Sequence, residues 1–301
     1  MRIGPPRTPC ERSAALACLF QHDARVSDRV ANATALADLG EIELSGLVAA
    51  WSGDEAVAAG LLHIAADGSA FVWPPELSVA IRTSDGIAVE VLNELADRAE
   101  KAGCTFLQAA VAPERNDQRR ALESAGFDEI AELIYLQHPL GRDLPERETL
   151  SGRWIAFSDA DEARFAATAE RTYVASQDCP AFAGVRTAAD SLRSYRSAGS
   201  FTPERWQIIE QSGCDVGIIL VNDHPEDRSR EIIYVGVTPE ARGRGIGRTM
   251  ISAVLHEAVF DSCEAVLAAA DSNNRPALEI YDRLGFFPCG RQVVSIRRWK
   301  R

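Results

Sequence analysis

The sequence has no Cys-x-x-Cys pair, no cluster of histidines and no long apolar run, and each absence excludes a class of protein. The seven cysteines (10, 18, 104, 179, 214, 263, 289) are odd in number and widely scattered, which suits neither a disulfide framework nor a zinc site. They read as reduced thiols, mostly small core residues, of a cytoplasmic protein. The five histidines (22, 63, 138, 224, 256) stand apart from one another and from the cysteines, so no metal is implied. The apolar runs are too short to cross a bilayer. Positive charge is scarce as well: 32 Lys and Arg face 44 Asp and Glu, a formal net charge of −12. Such a chain repels polyphosphate at long range, which excludes broad nucleic-acid binding.

One stretch has the outline of a targeting signal. Arg2, Arg7 and Arg12 precede an apolar run at 13–20. However, Thr8-Pro9-Cys10-Glu11 is a capping box with proline at the first helical position. Gln21-His22-Asp23 then ends the run without a small-residue cleavage site. The segment is read as a first domain helix.

What remains is a folded-protein composition, 46% hydrophobic and 25% charged, over 301 residues. At roughly 150 residues per domain, that length suggests two domains. A worn internal repeat says the same. Sliding the chain by 159 positions brings Gly126-Phe127 onto Gly285-Phe286, Ala109-Ala110 onto Ala268-Ala269, Cys104 onto Cys263 and Gly86 onto Gly245. Each copy reads strand, glycine loop, helix, strand, helix, Gly-Phe, strand. In the second copy, 231–237 is a β-rich run, 247–260 carries an apolar stripe at helical spacing, 265–270 is a strand and 276–284 a helix stopped by Gly285. Earlier in that copy, 154–157 reads as a strand, Asp159-x-x-Glu162 opens a helix, and 205–209 and 216–221 form a hairpin through Ser212-Gly213. Polar residues 141–149 separate the copies. The expected organisation is α/β (α+β): domain 1–140, linker 141–150 and domain 151–301, each a mixed, mainly antiparallel sheet flanked by helices.

The chemistry concentrates at Val237-Thr-Pro-Glu-Ala-Arg242-Gly-Arg-Gly245-Ile-Gly247, between a strand and a helix. Physically this is an anion cradle: glycines let backbone N–H groups turn around a diphosphate, and the helix adds its positive end. Arg242, Arg244 and Arg248 add local positive charge. It is not a P-loop, which needs a lysine after the last glycine. Nor is it a dinucleotide fingerprint, whose spacing is Gly-x-Gly-x-x-Gly with an acidic residue closing the next strand. Here the spacing is Gly243-x-Gly245-x-Gly247, and Glu264 opens its strand. A ligand-free glycine turn is the plain alternative.

With Arg242-x-x-Gly245-x-Gly247 and Asn274-x-x-Ala277-x-x-x-Tyr281-x-x-x-Gly285-Phe286 in this order, the second half resembles the GCN5-related N-acetyltransferases (GNAT). Through the repeat, the whole chain resembles a tandem pair of such domains, similar to the mycothiol synthases, whose second domain carries a segment like Glu231-Ile-Ile-Tyr-Val-Gly-Val-Thr-Pro239. The resemblance implies acetyl-CoA as cosubstrate and no metal. It implies that the backbone of Val235, Gly236 and Val237 holds the pantetheine arm, and that Asn274 contacts it. It further implies that Arg242, Gly243, Arg244, Gly245, Ile246, Gly247 and Arg248 hold the pyrophosphate.

Acyl transfer to an amine needs a base for the ammonium, a stabilised oxyanion and a proton for the leaving thiolate. Glu231, at the start of the strand entering the cradle, is the candidate base, against a plain exposed carboxylate beside Arg230. Tyr281 is the candidate acid, against a core aromatic; the backbone N–H near Val235 is the candidate oxyanion donor. Cys179 reads as a loop cysteine rather than a nucleophile. Asp178, Arg186, Asp190, Arg193 and Tyr195 lie in a segment, 176–203, suited to substrate selection or simply solvated. In the first copy the same offset places Thr83 at Arg242, Ser84 at Gly243, Arg115 at Asn274 and Leu122 at Tyr281, with Pro74-Pro75 removing strand donors. That copy is expected to keep the fold and lose cofactor binding. The expected function is acetyl transfer to a primary amine of a small molecule by the C-terminal domain alone. The alternatives are acetylation of a protein N-terminus or lysine, and a non-catalytic CoA sensor.

Overall fold

The computed structural model describes residues 1–65, 68–78, 85–141, 144–147, 149–182 and 184–299. The repeat-derived reading of Thr83 and Ser84, and residues 142–143 and 148 of the polar connector, lie outside them. Contacts divide the chain into two units, Met1–Ile130 with Val293–Arg301, and Ala131–Gln292.

The first unit runs β1 (Arg2–Gly4), α1 (Pro9–Leu19), α2 (Val26–Asp38), β2 (Leu47–Ser52), β3 (Glu55–Ile64), β4 (Ala70–Leu77), α3 (Asp85–Lys101), β5 (Phe106–Val111) and α4 (Asn116–Ser124). Thr8 caps α1: its Oγ1 accepts the Glu11 N–H at 3.1 Å, while the Glu11 carboxylate accepts the Arg7 N–H. Ala15, Leu16, Cys18 and Leu19 of α1 are buried against one face of the sheet with Trp51 and Leu47. Val91, Leu92, Leu95 and Leu122 cover the other. The strand order is β1-β2-β3-β4-β5, antiparallel except for the parallel β4–β5 pair.

The chain enters the second unit within β6 (Asp128–Pro139) and continues through β7 (Arg153–Ala156), α5 (Glu162–Tyr173), α6 (Ala188–Arg196), β8 (Ser200–Phe201), β9 (Gln207–Gln211), β10 (Cys214–His224), β11 (Ser229–Val237), α7 (Ile246–Phe260), β12 (Ala265–Asp271) and α8 (Arg275–Arg283). It returns to the first unit within β13 (Phe287–Arg298). The second sheet has the order β6-β12-β11-β10-β9-β7, with β8 on β10 and only β11–β12 parallel. One face packs on α7 and α8 through Met250, Ile251, Leu255 and Leu284. The other packs on α5 and α6 through Phe165, Leu192, Trp206 and Ile218.

The repeat is borne out from β2 onward, with a one-residue slip in β4, whose ladder positions correspond to those of β11. At the offset of 159, α4 falls on α8 and β6 on β13 with identical bounds. Register repeats as well: Leu136 faces Ala268, and Ser295 faces Ala109, which are the same pair shifted by 159. In each unit, then, the last strand comes from the other half of the sequence. The compact units differ for this reason from the linear division at 140 and 150, since ladder hydrogen bonds rather than chain order assign the last strand.

The first unit should accordingly depend on the C-terminal strand. Ile296 is fully buried there, and Ile296→Ala should destabilise that unit by about 2–5 kcal/mol. Denaturant unfolding checks this; an unchanged midpoint would mean that β13 adds nothing to the unit.

Candidate active site

The site begins with a break in hydrogen bonding. The parallel ladder between β11 and β12 runs from Ser229↔Ala265 to Ile232↔Ala268 and stops, although β11 continues to Val237 and β12 to Asp271. Opposite β10 the register jumps from Val221↔Ile232 to Leu220↔Tyr234, so Ile233 is an extra residue, a bulge that bends β11 away. Residues 234–237 keep β10 on one side and, among the described residues, have no strand on the other. A cavity of about 750 Å³ opens in this wedge and reaches the start of α7.

Twelve of the thirteen site residues expected from the sequence line that cavity: Val235, Gly236 and Val237 from the splayed strand, Arg242 through Arg248 from the loop and the first turn of α7, and Asn274 and Tyr281 from the cap and body of α8. Gly236 must be glycine because α5 comes so close: a Cβ there would lie 2.6 Å from Thr172 Oγ1 and 2.8 Å from the Tyr234 hydroxyl. Gly243 and Gly245 must be glycine for their backbone, with φ of +77° and +79°. These turns leave the N–H groups of Gly243, Arg244 and Gly245 without backbone acceptors among the described residues. The first-turn N–H groups of α7 follow directly, so donors and helix dipole converge on one spot.

The Arg242 side chain is engaged within the protein. Its guanidinium donates to the carbonyls of Thr172, Val174 and Ala175 at 2.8–3.1 Å, and its Nε to Val237 O at 3.2 Å. It thus sits at the carbonyl end of α5, favourable for a cation, and staples the loop to that helix. Arg244 is exposed and donates to Glu240 O.

Tyr281 is 3% exposed and edge-on to Phe286, and no described group hydrogen-bonds its hydroxyl. Burial, with the charge of Asp178 as a second cause, raises its pKa, so the phenol stays protonated at neutral pH. Asn274 caps α8, accepting the Ala277 N–H through Oδ1 and donating to Asp178 Oδ1 at 3.4 Å. Glu231, the thirteenth residue, is not on the cavity wall. It faces the α5–α6 side of the sheet, opposite to Ile232, and its Oε2 lies 2.9 Å from His224 Nε2.

Sequence reasoning missed Thr172, Tyr234 and the wall role of Asp178. Asp178 Oδ1 accepts the Asp271 N–H at 3.1 Å while Asp271 Oδ2 accepts the Cys179 N–H at 3.1 Å, a reciprocal clamp that ties the α5–α6 loop to the end of β12. Burial raises the Asp178 pKa against the hydrogen bonds that lower it. Of the other charged loop candidates, Asp190 closes a capping box with Thr187 and pairs with Arg193. Arg186 packs over Phe182 and Tyr195. Burial and the neighbouring Asp178 push the Cys179 thiol up to about 12, which suits a spectator rather than a nucleophile.

The corresponding place in the first unit is filled by its own side chains. Glu76, whose ladder position is that of Gly236 (Ala59↔Glu76 in the first unit, Ile218↔Gly236 in the second), is held by Arg115 at 2.8 and 2.9 Å and by Gln118 at 3.1 Å, with His22 Nε2 at 3.2 Å. Gln118 also reaches the carbonyls of Pro74 and Pro75, and Leu122 is core.

Asp178 gives a prediction that needs no ligand. A carboxyl whose folded pKa lies above its unfolded value of about 3.9 costs stability once pH exceeds that value. The cost grows as pH rises through the folded pKa and then stays constant. Asp178→Asn keeps the Oδ1 acceptor and removes the charge, so it should raise Tm at pH 7–8 and leave it unchanged near pH 4. Melting scans across pH check this; a lower Tm at pH 8 would mean the carboxylate is a net stabiliser.

Comparison with known proteins agrees with this architecture. The model of the acetyltransferase (GNAT) family matches residues 153–286. A mycothiol acetyltransferase of Streptomyces griseus subsp. griseus is 34% identical over 86 residues, 29% of this chain and 28% of that one. The mycothiol acetyltransferase of Arthrobacter sp. (strain FB24) is 28% identical over 247 residues, 71% of this chain and 75% of that one. The match thus spans little more than a quarter of the first of these relatives. Among solved structures, a GCN5-related N-acetyltransferase from Sphaerobacter thermophilus superposes with a TM-score of 0.67 at 18% identity, over 99% of this chain and 95% of that one. A tandem GNAT protein from the clavulanic acid biosynthesis pathway gives 0.52 at 16% identity, over 99% and 98%. Residues 153–286 are therefore a domain of the acetyltransferase (GNAT) family, in a chain made of two GNAT-like domains.

Proposed function

We propose that this protein is a cytoplasmic N-acetyltransferase that moves an acetyl group from acetyl-CoA to a primary amine of a small molecule, by direct attack in a ternary complex in the second unit. The observation that carries the reading is one cavity joining a splayed β11, a glycine loop with free N–H donors, and Tyr281. The loop donors and the start of α7 match a pyrophosphate. The unpaired edge of residues 234–237 matches the amides of a pantetheine arm, which would complete the ladder that β12 abandons. On this reading the N–H near Val235 is the donor to the oxyanion.

Tyr281, protonated and without a partner, supplies the proton to the departing thiolate. Glu231 lies four residues before Val235, roughly 13 Å along an extended strand, so it takes the proton of the attacking ammonium through water. The small-molecule acceptor rests on the curated relatives named mycothiol acetyltransferases. Restriction to the second unit rests on the Glu76–Arg115–Gln118 network filling the equivalent place in the first.

Calorimetric titration of acetyl-CoA should find one site per chain, abolished by Gly245→Trp. Two sites would show that the first unit binds too, and no binding would remove the reading. Glu231→Gln and Tyr281→Phe should each lower turnover by about 10²–10⁴-fold while leaving acetyl-CoA affinity unchanged. Full turnover in both variants would refute the assigned base and acid. Acetylation of peptide N-termini in preference to small amines would overturn the acceptor class.

A further inference from the structure

We propose that His224 is a positioning residue for the candidate base: its Nε2–H holds Glu231 Oε2, fixing the carboxylate so that Oε1 is the oxygen left to take the proton. The proposal rests on the reading of Glu231 as base. Its ground is a contact of 2.9 Å between two half-exposed side chains, 28% and 29% accessible, at adjoining ends of β10 and β11.

The groups around Glu231 are committed elsewhere. Asn222, directly opposite on β10, donates to the carbonyls of Tyr195 and Ala198 and accepts the Trp206 Nε1–H. Arg230 is engaged by Asp223 and Asp261. Tyr135, near enough to sense the Glu231 charge, donates its hydroxyl to Gln292 Oε1 at 2.9 Å. Among the described residues His224 is the one side chain that hydrogen-bonds the Glu231 carboxylate.

The imidazole is itself held. Gly199 packs on its edge so closely that a Cβ there would lie 2.9 Å from His224 Cε1 and 3.2 Å from Nε2. Gly199 leads into β8, which pairs with Asn222 and Asp223 of β10. The segment between α6 and β9 therefore sets the ring, and the ring sets the carboxylate. A glutamate free to rotate at a strand end spends little time in one reactive rotamer, and a displacement of 1 Å can cost about 100-fold in rate. Geometry rather than charge is thus what His224 contributes.

Two measurements test this on the full chain. Long-range ¹H–¹⁵N spectra of the wild-type histidines need no acceptor. They should place a proton on His224 Nε2, with a resonance that moves in Glu231→Gln; a ring carrying its only proton on Nδ1 overturns the proposal. With ethanolamine as a probe amine, which needs only the chemistry, His224→Ala should lower kcat about 100-fold with acetyl-CoA affinity unchanged. His224→Gln, which can place an amide N–H at the same oxygen, should recover much of the loss, as should imidazole added to His224→Ala. Recovery by neither means that the ring is merely structural and overturns the proposal. If Glu231→Gln is inactive while His224→Ala keeps full kcat, this inference fails alone. If Glu231→Gln keeps full kcat, the reading of Glu231 as base fails first.

Discussion

The structure of the second unit depends on one interruption, the point after Ile232 and Ala268 where two parallel strands stop exchanging hydrogen bonds. Backbone N–H and C=O groups are obligatory partners, and leaving them unmet in a half-buried wedge costs stability. The bulge at Ile233 creates this cost by bending β11, and the surrounding elements are arranged to hold the wedge open. Gly236 lets α5 approach the splayed strand, and Arg242 ties the loop to the end of that helix. The Asp178–Asp271 clamp fixes the opposite rim. Each of these contacts keeps β11 and β12 from closing on one another, which is the condition for a ligand to enter between them.

Much of the fold could be read from the sequence because the repeat is written in local signals. Glycine stops, apolar stripes and short β-rich runs recur at one offset, and each reports on its own neighbourhood in the chain. The limits of the compact units could not be read this way. Ser295 pairs with Ala109 and Leu136 with Ala268, although Leu136 and Ser295, like Gln137 and Ile296, stand at equivalent positions and share no side-chain pattern. The register repeats where the side chains do not, so hydrogen-bonding partners at long range decide where each strand belongs.

The candidate site divides along the same line. Residues 235–248, Asn274 and Tyr281 lie in two short segments whose glycines and spacing carry their own meaning, and they converge on one cavity. Thr172, Asp178 and His224 come from α5, a loop and the end of β10, and no spacing rule joins them to the motif. Arg242 shows the reverse case. Its type and position suggested an anion contact, but a long side chain beside a helix C-terminus finds four carbonyls within reach. Sequence gives the charge, and only the neighbouring helix says what that charge is used for.

The two units show how little change separates an open wedge from a filled one. In place of Gly236, Asn274, Ala277 and Tyr281 the first unit has Glu76, Arg115, Gln118 and Leu122. In the first unit the acid, the guanidinium and the amide satisfy one another, and Gln118 meets the carbonyls of Pro74 and Pro75. In the second, Ala277 is too short to reach across, and Tyr281 presents an unmatched hydroxyl to the space so left. An internally satisfied wedge needs no ligand to be stable. An unsatisfied one is held open at a cost that a ligand can relieve, so the free energy lost by the empty fold becomes available for binding. The same backbone thus serves in one unit as a finished structure and in the other as an unfinished one, whose unmet donors are left for a ligand to complete.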